Sequence, residues 1–411
     1  MSVISSVISS VISSATPAAA SQSLVLPFDA KRLDTLMDDA GIDVLLATSK
    51  HNVQYLLGGH RAFFFDYMDA FGTSRYLPVL VYPKGAPEKA AYVGHGMEGY
   101  QNQVKPFWVP DFIRGATSVD SMEKAVAHVK KTGVKANRVA VEYPFLPLDA
   151  ADSLRASMPN SEIVDAVFTL ERLRARKTPD ELKLLKHASE QVIASMQAVI
   201  ANHGPGTTKQ ELADALKREE VNRGLVFEYC LVACGTSFNR APSPQRWEEG
   251  DVMSIDSGGN YMGYIGDVAR MAILGEPDAE LEDLLGEIEA VQRAAMKVIR
   301  PGALGAEIYT VAEERLKQSK IHNHTDFLAH GMGLVTHEAP RLTSTGPVRY
   351  DGYDADKPLE QGMVVSVETT LQHPRRGFIK LEDTVVVTDA GHEVYGEGAR
   401  GWNRGGSALA R

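Results

Sequence analysis

Two aspartates in the second half of the chain stand in apolar surroundings, where carboxylates are costly. The stretch "IDSGGNYMGYIGDVAR" (residues 255–270) places Asp256 and Asp267 beside aliphatic residues, on either side of a glycine-rich bend. We predict two strands joined by a tight bend at Tyr261–Met262, with Asp256 directly opposite Asp267. Opposed side chains on one face of a strand pair have Cβ atoms ~5 Å apart, and like charges there repel. A bound cation, or a proton on one carboxylate, is therefore required.

A second pair of acids follows the same pattern. The strands "MVVSVETTL" and "GFIKLEDTVVVT" meet at "HPRRG", and a bend centred on Arg375 places Glu368 opposite Glu382. Between the two hairpins, "FLAHGMGLVTHEAP" contains His330 and His337. Four carboxylates and one histidine are a suitable ligand set for two divalent ions roughly 3.5–4 Å apart. Such a set suits Mn, Fe or Co, and Zn less exclusively. The competing interpretation is that each acid caps a loop or pairs with Arg or Lys.

The elements that must position these residues fall into two regions. Residues 29–170 alternate helical and strand patterns such as "AKRLDTLMDDAGI" and "RYLPVLVYP", which is typical of an α/β domain. Thr178, Pro179 and Glu181 then form a capping box with proline at the first helical position. The basic segment 172–177 just before it predicts a solvated linker.

We therefore place the domain boundary near residue 172, with one domain at 29–172 and another at 173–411. The second domain repeats a pattern, because "PGTTKQEL" from Pro205 and "PGALGAEI" from Pro301 share four residue types after 96 positions. Each copy follows a long helical segment and precedes strands. This predicts two matched halves that enclose a site.

Composition limits the classes of partner. The net charge of −10 over 411 residues disfavours nucleic acid and anionic membranes as partners. There is no apolar window of about 18 residues that would span a membrane. The two cysteines, Cys230 and Cys234, are too few for a disulfide framework and indicate a reducing compartment, so we predict a cytoplasmic protein.

The N-terminus consists of a Ser-Val-Ile-Ser repeat. It has no basic residue before Lys31 and no unbroken apolar run, so it does not resemble a secretory signal. We predict that residues 1–28 form a disordered tail.

Together these motifs resemble the creatinase/aminopeptidase P/prolidase superfamily. The resemblance rests on the spacing of eleven between Asp256 and Asp267, then "AHGMG…THEAP", "VSVE" and "KLED" in family order, and it covers nearly the whole chain after residue 29. It implies an α+β fold, in which a smaller N-terminal α/β creatinase-like domain precedes a C-terminal catalytic domain of the pita-bread fold. It also implies a homodimer.

The resemblance further implies a dinuclear metallohydrolase with two divalent ions per chain, of which Mn is favoured and Co, Fe or Zn are alternatives. A metal-bridging hydroxide would attack the amide carbonyl of a small peptide, as in Xaa-Pro dipeptidases and aminopeptidases. Glu368 would be the general base and His337 would stabilise the oxyanion. The metal ligands would be Asp256, Asp267, His330, Glu368 and Glu382.

Three positions are candidates for substrate binding, and two of them depart from the family. Ser243 stands where a histidine is expected, and Lys380 replaces an arginine two residues before the last ligand. Arg341, just after "HEAP", is a candidate for binding a substrate carboxylate.

The departures leave a second interpretation open, a small-molecule amide hydrolase or a lyase on the same scaffold, similar to ectoine hydrolase or dimethylsulfoniopropionate lyase. A catalytically inactive binding protein is a third, which the complete ligand set disfavours.

Overall fold

The computed structural model describes residues 25–61, 67, 70, 72, 75–343 and 351–409. Most of the predicted N-terminal tail lies outside these residues. Its last residue, Phe28, is buried and packs edge-on against Tyr82 and Trp108, with ring centroids 5.8 and 5.7 Å apart. The folded chain therefore includes Phe28. No helix in the described ranges is long and apolar enough to cross a membrane.

The N-terminal region is a six-stranded sheet, in the order β4-β3-β2-β1-β5-β6, with helices on both faces. Alternation along β1 explains the two layers, because Leu45 joins the core under α1 and α6 while Leu46 joins the core under α4 and α5. This confirms the predicted α/β layer. Its elements are α1 (Ala30–Asp39), β1 (Val44–Ala47), α2 (Lys50–Leu56), β2 (Val79–Pro83), β3 (Ala91–His95), α3 (Glu98–Val104), β4 (Asp111–Gly115), α4 (Ser118–Thr132), β5 (Arg138–Val141), α5 (Leu148–Ser157), β6 (Glu162–Asp165) and α6 (Val167–Ala175).

The C-terminal region is built on an eight-stranded sheet whose central path runs β12-β13-β14-β11-β10-β8. Strands β15 and β16 pair with β14 and β11, and β7 pairs with β9 in a small separate sheet. The elements are α7 (Pro179–Asn202), β7 (Thr207–Thr208), α8 (Lys209–Asn222), β8 (Val226–Cys234), β9 (Arg246–Trp247), β10 (Val252–Tyr261), β11 (Tyr264–Ile273), α9 (Ala279–Met296), α10 (Gly305–Lys317), β12 (Thr325–Gly331), β13 (Val364–His373), β14 (Gly377–Val387), β15 (His392–Tyr395) and β16 (Asn403–Arg404).

The two halves of this region have matching arrangements, as the repeat predicts. In each half two helices precede an outer strand and then a hairpin, and the hairpins meet at β11 and β14 in the middle of the sheet. The repeated motifs also make equivalent backbone hydrogen bonds. Gly206 donates its N–H to Trp247 O at 2.8 Å, and Gly302 donates its N–H to Leu359 O at 2.9 Å. The pocket between the halves is thus lined by equivalent strands.

The two hairpins test the predicted registers. Glu368 pairs with Glu382, as predicted. The prediction that Asp256 lies opposite Asp267 is wrong, because Asp256 pairs with Ala269 and Asp267 lies diagonally on the same face. The turn is formed by Met262 and Gly263, whose φ values of 52° and 99° suit a two-residue turn that matches strand twist. This turn lies one residue later than predicted and shifts the pairing by two.

The predicted solvated linker at residues 172–177 is also incorrect. Helix α6 continues to Ala175, and the side chains of Arg174 and Lys177 are buried. Both cations pair with the buried carboxylate of Glu338 in the C-terminal region. The connection between the two regions is therefore a buried, charged interface.

Candidate metal centre

The sheet brings all five predicted ligands to one face. Strand β12 is antiparallel to β13, so His330 pairs with Ser366 and lies near Glu368. Pairing of Ala269 with Glu382 joins the two hairpins and places Asp267 beside Glu382. The predicted ligands line one cavity of about 810 Å³ together with His337 and Lys380. The five are Asp256, Asp267, His330, Glu368 and Glu382.

Three of these side chains form a compact group. One ligand atom each from Asp267, His330 and Glu382 lies within 4.8 Å of the others, and all three residues are buried. His330 Nε2 is 3.8 Å from Glu382 Oε1 and 3.7 Å from Glu368 Oε1. Buried carboxylates with one imidazole suit a divalent transition ion. The residues present therefore fit a metal ion at this group.

The other two carboxylates are held by cations of the protein. Lys380 Nζ lies 2.7 Å from Asp256 Oδ2 and also contacts Glu368 Oε2. Arg240 contacts the same Oδ2 atom of Asp256. Lys380, predicted as a substrate-binding residue, is thus engaged with predicted metal ligands.

The electrostatics reflect a concentration of buried negative charge. Burial raises the pKa of Asp267 well above its usual range, and the neighbouring carboxylates of Glu382 and Asp256 raise it further. Burial and Glu382 likewise raise the pKa of Glu368. Burial alone would lower the pKa of His330, but the surrounding carboxylates outweigh it and raise the value to about 9. The site therefore favours additional positive charge.

His337 lies directly against the compact group. Its ring stacks on His330 with centroids 3.9 Å apart and an interplanar angle of 15°. Burial, together with the nearby His330, lowers the pKa of His337 to about 4. His337 is consequently a neutral imidazole near pH 7, able to donate one N–H into the cavity it lines.

Comparison with known proteins agrees with this geometry. The model of metallopeptidase family M24 matches residues 183–389, and the creatinase/prolidase N-terminal domain model matches residues 30–176. The chain belongs to metallopeptidase family M24. The structure thus consists of an N-terminal creatinase-like domain and a C-terminal pita-bread domain, and the protein is an enzyme of this family.

Relatives of this M24 chain align over most of its length. It is 26% identical to the uncharacterized peptidase YqhT of Bacillus subtilis over 89% of this chain and 96% of that protein. It is 23% identical to the Xaa-Pro dipeptidase of Pyrococcus horikoshii over 88% of this chain and 94% of the relative. The solved Xaa-Pro dipeptidase from Bacillus anthracis superposes with a TM-score of 0.76 at 23% identity, covering 91% of this chain and 98% of that one, and shows the fold.

The other two substrate-binding candidates, Ser243 and Arg341, are not among the described residues that line the cavity of about 810 Å³, although Arg341 lines a smaller cavity together with His330 and His337. The backbone carbonyl of Ser243 accepts a hydrogen bond from Gln210 N of α8 at 3.1 Å. Arg341 forms a two-pronged pair with Glu171, at 2.8 and 2.7 Å. Binding of a substrate carboxylate by Arg341 stays a prediction.

Two residues at the site were not predicted from the sequence. Tyr229 of strand β8, which is separated from β11 by β10, donates its hydroxyl to Asp267 Oδ1. Arg240 lies over the Phe378 ring at 4.9 Å and contacts Asp256. The alternation of β8 gives a signal for Tyr229, since it shares a face with Leu231, which also lines the cavity. Arg240 lies in a loop, where no periodic signal exists.

Proposed function

We propose that this protein is a metal-dependent Xaa-Pro dipeptidase or aminopeptidase. The observation that carries the proposal is the convergence of five ligand-type side chains and His337 on one cavity of about 810 Å³. The Xaa-Pro dipeptidase named among the relatives of this chain supports the substrate class. A small peptide is therefore the proposed substrate.

The metal would be held by the five predicted ligands, with Asp267, His330 and Glu382 as the most compact group. The set provides ligands for two divalent ions, with Mn favoured and Co, Fe or Zn as alternatives. When bound, a divalent ion polarises the scissile carbonyl and makes water more acidic. Asp256 and Glu368 would complete the second position.

Two side chains would handle the proton and the developing charge. Glu368 is buried at the cavity wall, 3.7 Å from His330, where it would take a proton from the attacking water and deliver it to the leaving amine. His337, stacked on His330, would donate its N–H to the carbonyl oxygen as negative charge develops there. The position of both side chains at the wall of the cavity supports these assignments.

A small-molecule hydrolase or lyase on the same scaffold is the second candidate. The serine at position 243 favours it, because a peptide-contacting histidine is expected there in Xaa-Pro peptidases. Arg240, whose side chain is 29% exposed at the cavity wall, would instead bind an anionic substrate group.

The proposal is tested by hydrolysis of a panel of Xaa-Pro dipeptides and longer Xaa-Pro peptides. Protein stripped with a chelator is reloaded separately with Mn, Co, Zn or Fe, and matched Xaa-Ala peptides serve as controls. We expect metal-dependent cleavage that prefers Xaa-Pro. Cleavage of non-peptide amides alone would favour the second candidate, and no turnover of either class by metal-loaded protein would contradict both.

We also propose a cytoplasmic homodimer. Cys230 and Cys234 are both free and buried, which suits a reducing compartment. Light scattering on the purified chain tests the assembly, and fractionation of the source cell tests the location.

A further inference from the structure

Arg240 lies at the wall of the cavity of about 810 Å³, next to Asp256. Its Nη2 atom contacts Asp256 Oδ2, whereas its Nε and Nη1 atoms make no hydrogen bond with any described residue. The side chain is 29% exposed. Because a guanidinium has five N–H donors, Arg240 keeps donors for a second carboxylate.

The position of this guanidinium is fixed by the loop that carries it and by a ring beneath it. The guanidinium carbon lies 4.9 Å from the centre of the Phe378 ring of β14. The backbone carbonyl of Arg240 accepts from Val232 N of β8 at 2.8 Å. The carbonyl of the preceding Asn239 accepts from Nζ of Lys209, a fully buried residue at the start of α8. A side chain held in this way loses little conformational entropy when it binds a ligand.

The charges of the cavity differ between its two ends. The strands that carry the predicted ligands lie in the order β12-β13-β14-β11-β10, with His330 on the first and Asp256 on the last. Arg240 stands at the Asp256 end. The exposed acids Asp326 and Glu313 line the cavity from β12 and α10, at the His330 end. The field of the cavity therefore draws a negative side chain toward the Arg240 end.

Two predicted roles orient a dipeptide along this row of strands. His337, which stacks on His330, would bind the scissile carbonyl oxygen. Arg341, in the same loop after β12, is the candidate for the substrate carboxylate, which in an Xaa-Pro dipeptide belongs to proline. The proline then lies at the His330 end, and the preceding Xaa residue lies at the Arg240 end.

We propose that Arg240 is a specificity-determining residue that binds the side-chain carboxylate of an acidic Xaa residue, so that Glu-Pro and Asp-Pro are preferred substrates. The inference rests on the proposed function and specifies its substrate class. Two divalent ions would neutralise the four ligand carboxylates, which leaves the charge of Arg240 for the substrate. Lys380, the other cation of the cavity wall, is buried and less accessible.

The test compares kcat/KM for Glu-Pro and Gln-Pro, which match in size and differ in side-chain charge. We expect the native Mn²⁺-loaded enzyme to prefer Glu-Pro by ~10-fold, as a hydrogen bond between charged groups predicts. In Arg240→Met the ratio should fall to about 1 through a higher KM for Glu-Pro. Arg240→Lys should keep part of the preference. Because both peptides meet the same protein sample, a change in metal content does not alter the ratio.

Arg375→Met is the matched control. Its side chain is 78% exposed in the turn between β13 and β14, and the variant should keep the native ratio. Binding without turnover gives a second readout: calorimetry of the Mn²⁺-loaded protein should show tighter binding of L-glutamate than of L-glutamine, and Arg240→Met should abolish the difference.

A comparison of Gln-Pro with Gln-Pro amide identifies the other source of a carboxylate. If Arg240→Met changes that comparison and leaves the ratio of Glu-Pro to Gln-Pro unchanged, Arg240 binds the proline carboxylate and the proposal is overturned. Equal kcat/KM for Glu-Pro and Gln-Pro in the native enzyme would also overturn it and leave the Xaa-Pro activity standing. No hydrolysis of any Xaa-Pro peptide would overturn the proposed function, and the binding of L-glutamate then decides the role of Arg240.

Discussion

Arg174, on the last helix of the N-terminal region (α6), forms a buried ion pair with Glu338, the residue that follows His337. Arg174 Nη2 donates to Glu338 Oε2 at 2.8 Å, and Lys177 Nζ donates to the other oxygen at 3.0 Å. Arg174 also contacts Asn52 of α2. Because Glu338 directly follows His337, this network fixes the loop that presents His337 to the cavity. The N-terminal domain thus contributes to the geometry of the site.

Replacing Arg174 should destabilise the protein strongly. In Arg174→Met, Glu338 loses one of its two buried cations, and breaking a buried pair typically costs about 3–5 kcal/mol. The free energy of unfolding, measured in urea, checks this. The matched control is Arg176→Met, whose side chain is 47% exposed beside Glu360, and its cost should be at most about 1 kcal/mol. Equal costs for the two variants would show that the buried pair has no special role.

Asp267→Asn should lose bound metal and activity while the fold persists. The amide keeps the shape of the carboxylate and its contact with Tyr229, but it removes the negative charge that a divalent ion requires. Elemental analysis measures the loss of metal, and circular dichroism measures whether the fold is retained. Asp326→Asn, at an exposed position on β12 beside the cavity, should keep its metal. Native metal content in Asp267→Asn would remove Asp267 from the ligand set.

His337→Ala should lower kcat by ~10²–10³-fold, as removal of an oxyanion donor does. Metal content should stay at the native level, since His337 stacks on His330 and is not part of the compact group of Asp267, His330 and Glu382. His324→Ala, at an exposed position before β12, is the control and should match the native enzyme. A variant of His337 that loses metal together with activity would indicate a ligand instead of an oxyanion donor.

Glu220 should make stability depend on pH. Burial raises the pKa of Glu220 from 4.5 to about 7, while Ser257 lowers it and Glu228 raises it. A folded-state pKa above the unfolded value means that the stability is fully present below pH 4.5 and is lost as the pH rises through 7. The loss should reach ~3 kcal/mol.

The measurement is urea unfolding between pH 5 and pH 8, with Glu220→Gln expected to remove this part of the dependence. Asp214→Asn, on the exposed side of the same helix, is the control and should retain it. A native-like pH profile in Glu220→Gln would assign the effect to another group.

The sequence predicts correctly that the predicted metal ligands lie close together, but it predicts the register of the strands that carry them less well. Glu368 and Glu382 were paired correctly because "HPRRG" marks the centre of their turn. The pairing of Asp256 was wrong because the glycine-rich stretch allows turns at adjacent positions, and only the backbone conformation selects Met262 and Gly263. Local pattern determines the strand and its face, whereas turn geometry determines the register.

Local sequence patterns do not predict the buried ion pairs of the structure. Arg174 and Lys177 look solvent-exposed in the sequence, because the acid that buries them, Glu338, is more than 160 positions away. Lys380 shares a face with Glu382 by alternation alone, but its contact with Asp256 depends on the pairing of β11 with β14 across the two halves of the domain. Such pairings follow from the whole fold.

The most direct test of the metal centre is anomalous diffraction from crystals of the protein grown with Mn²⁺. We predict a strong manganese peak bound by Asp267, His330 and Glu382, the three residues whose ligand atoms lie within 4.8 Å of one another. Absence of a manganese peak at these three residues at saturating Mn²⁺ would contradict the account, whether or not a peak appears elsewhere.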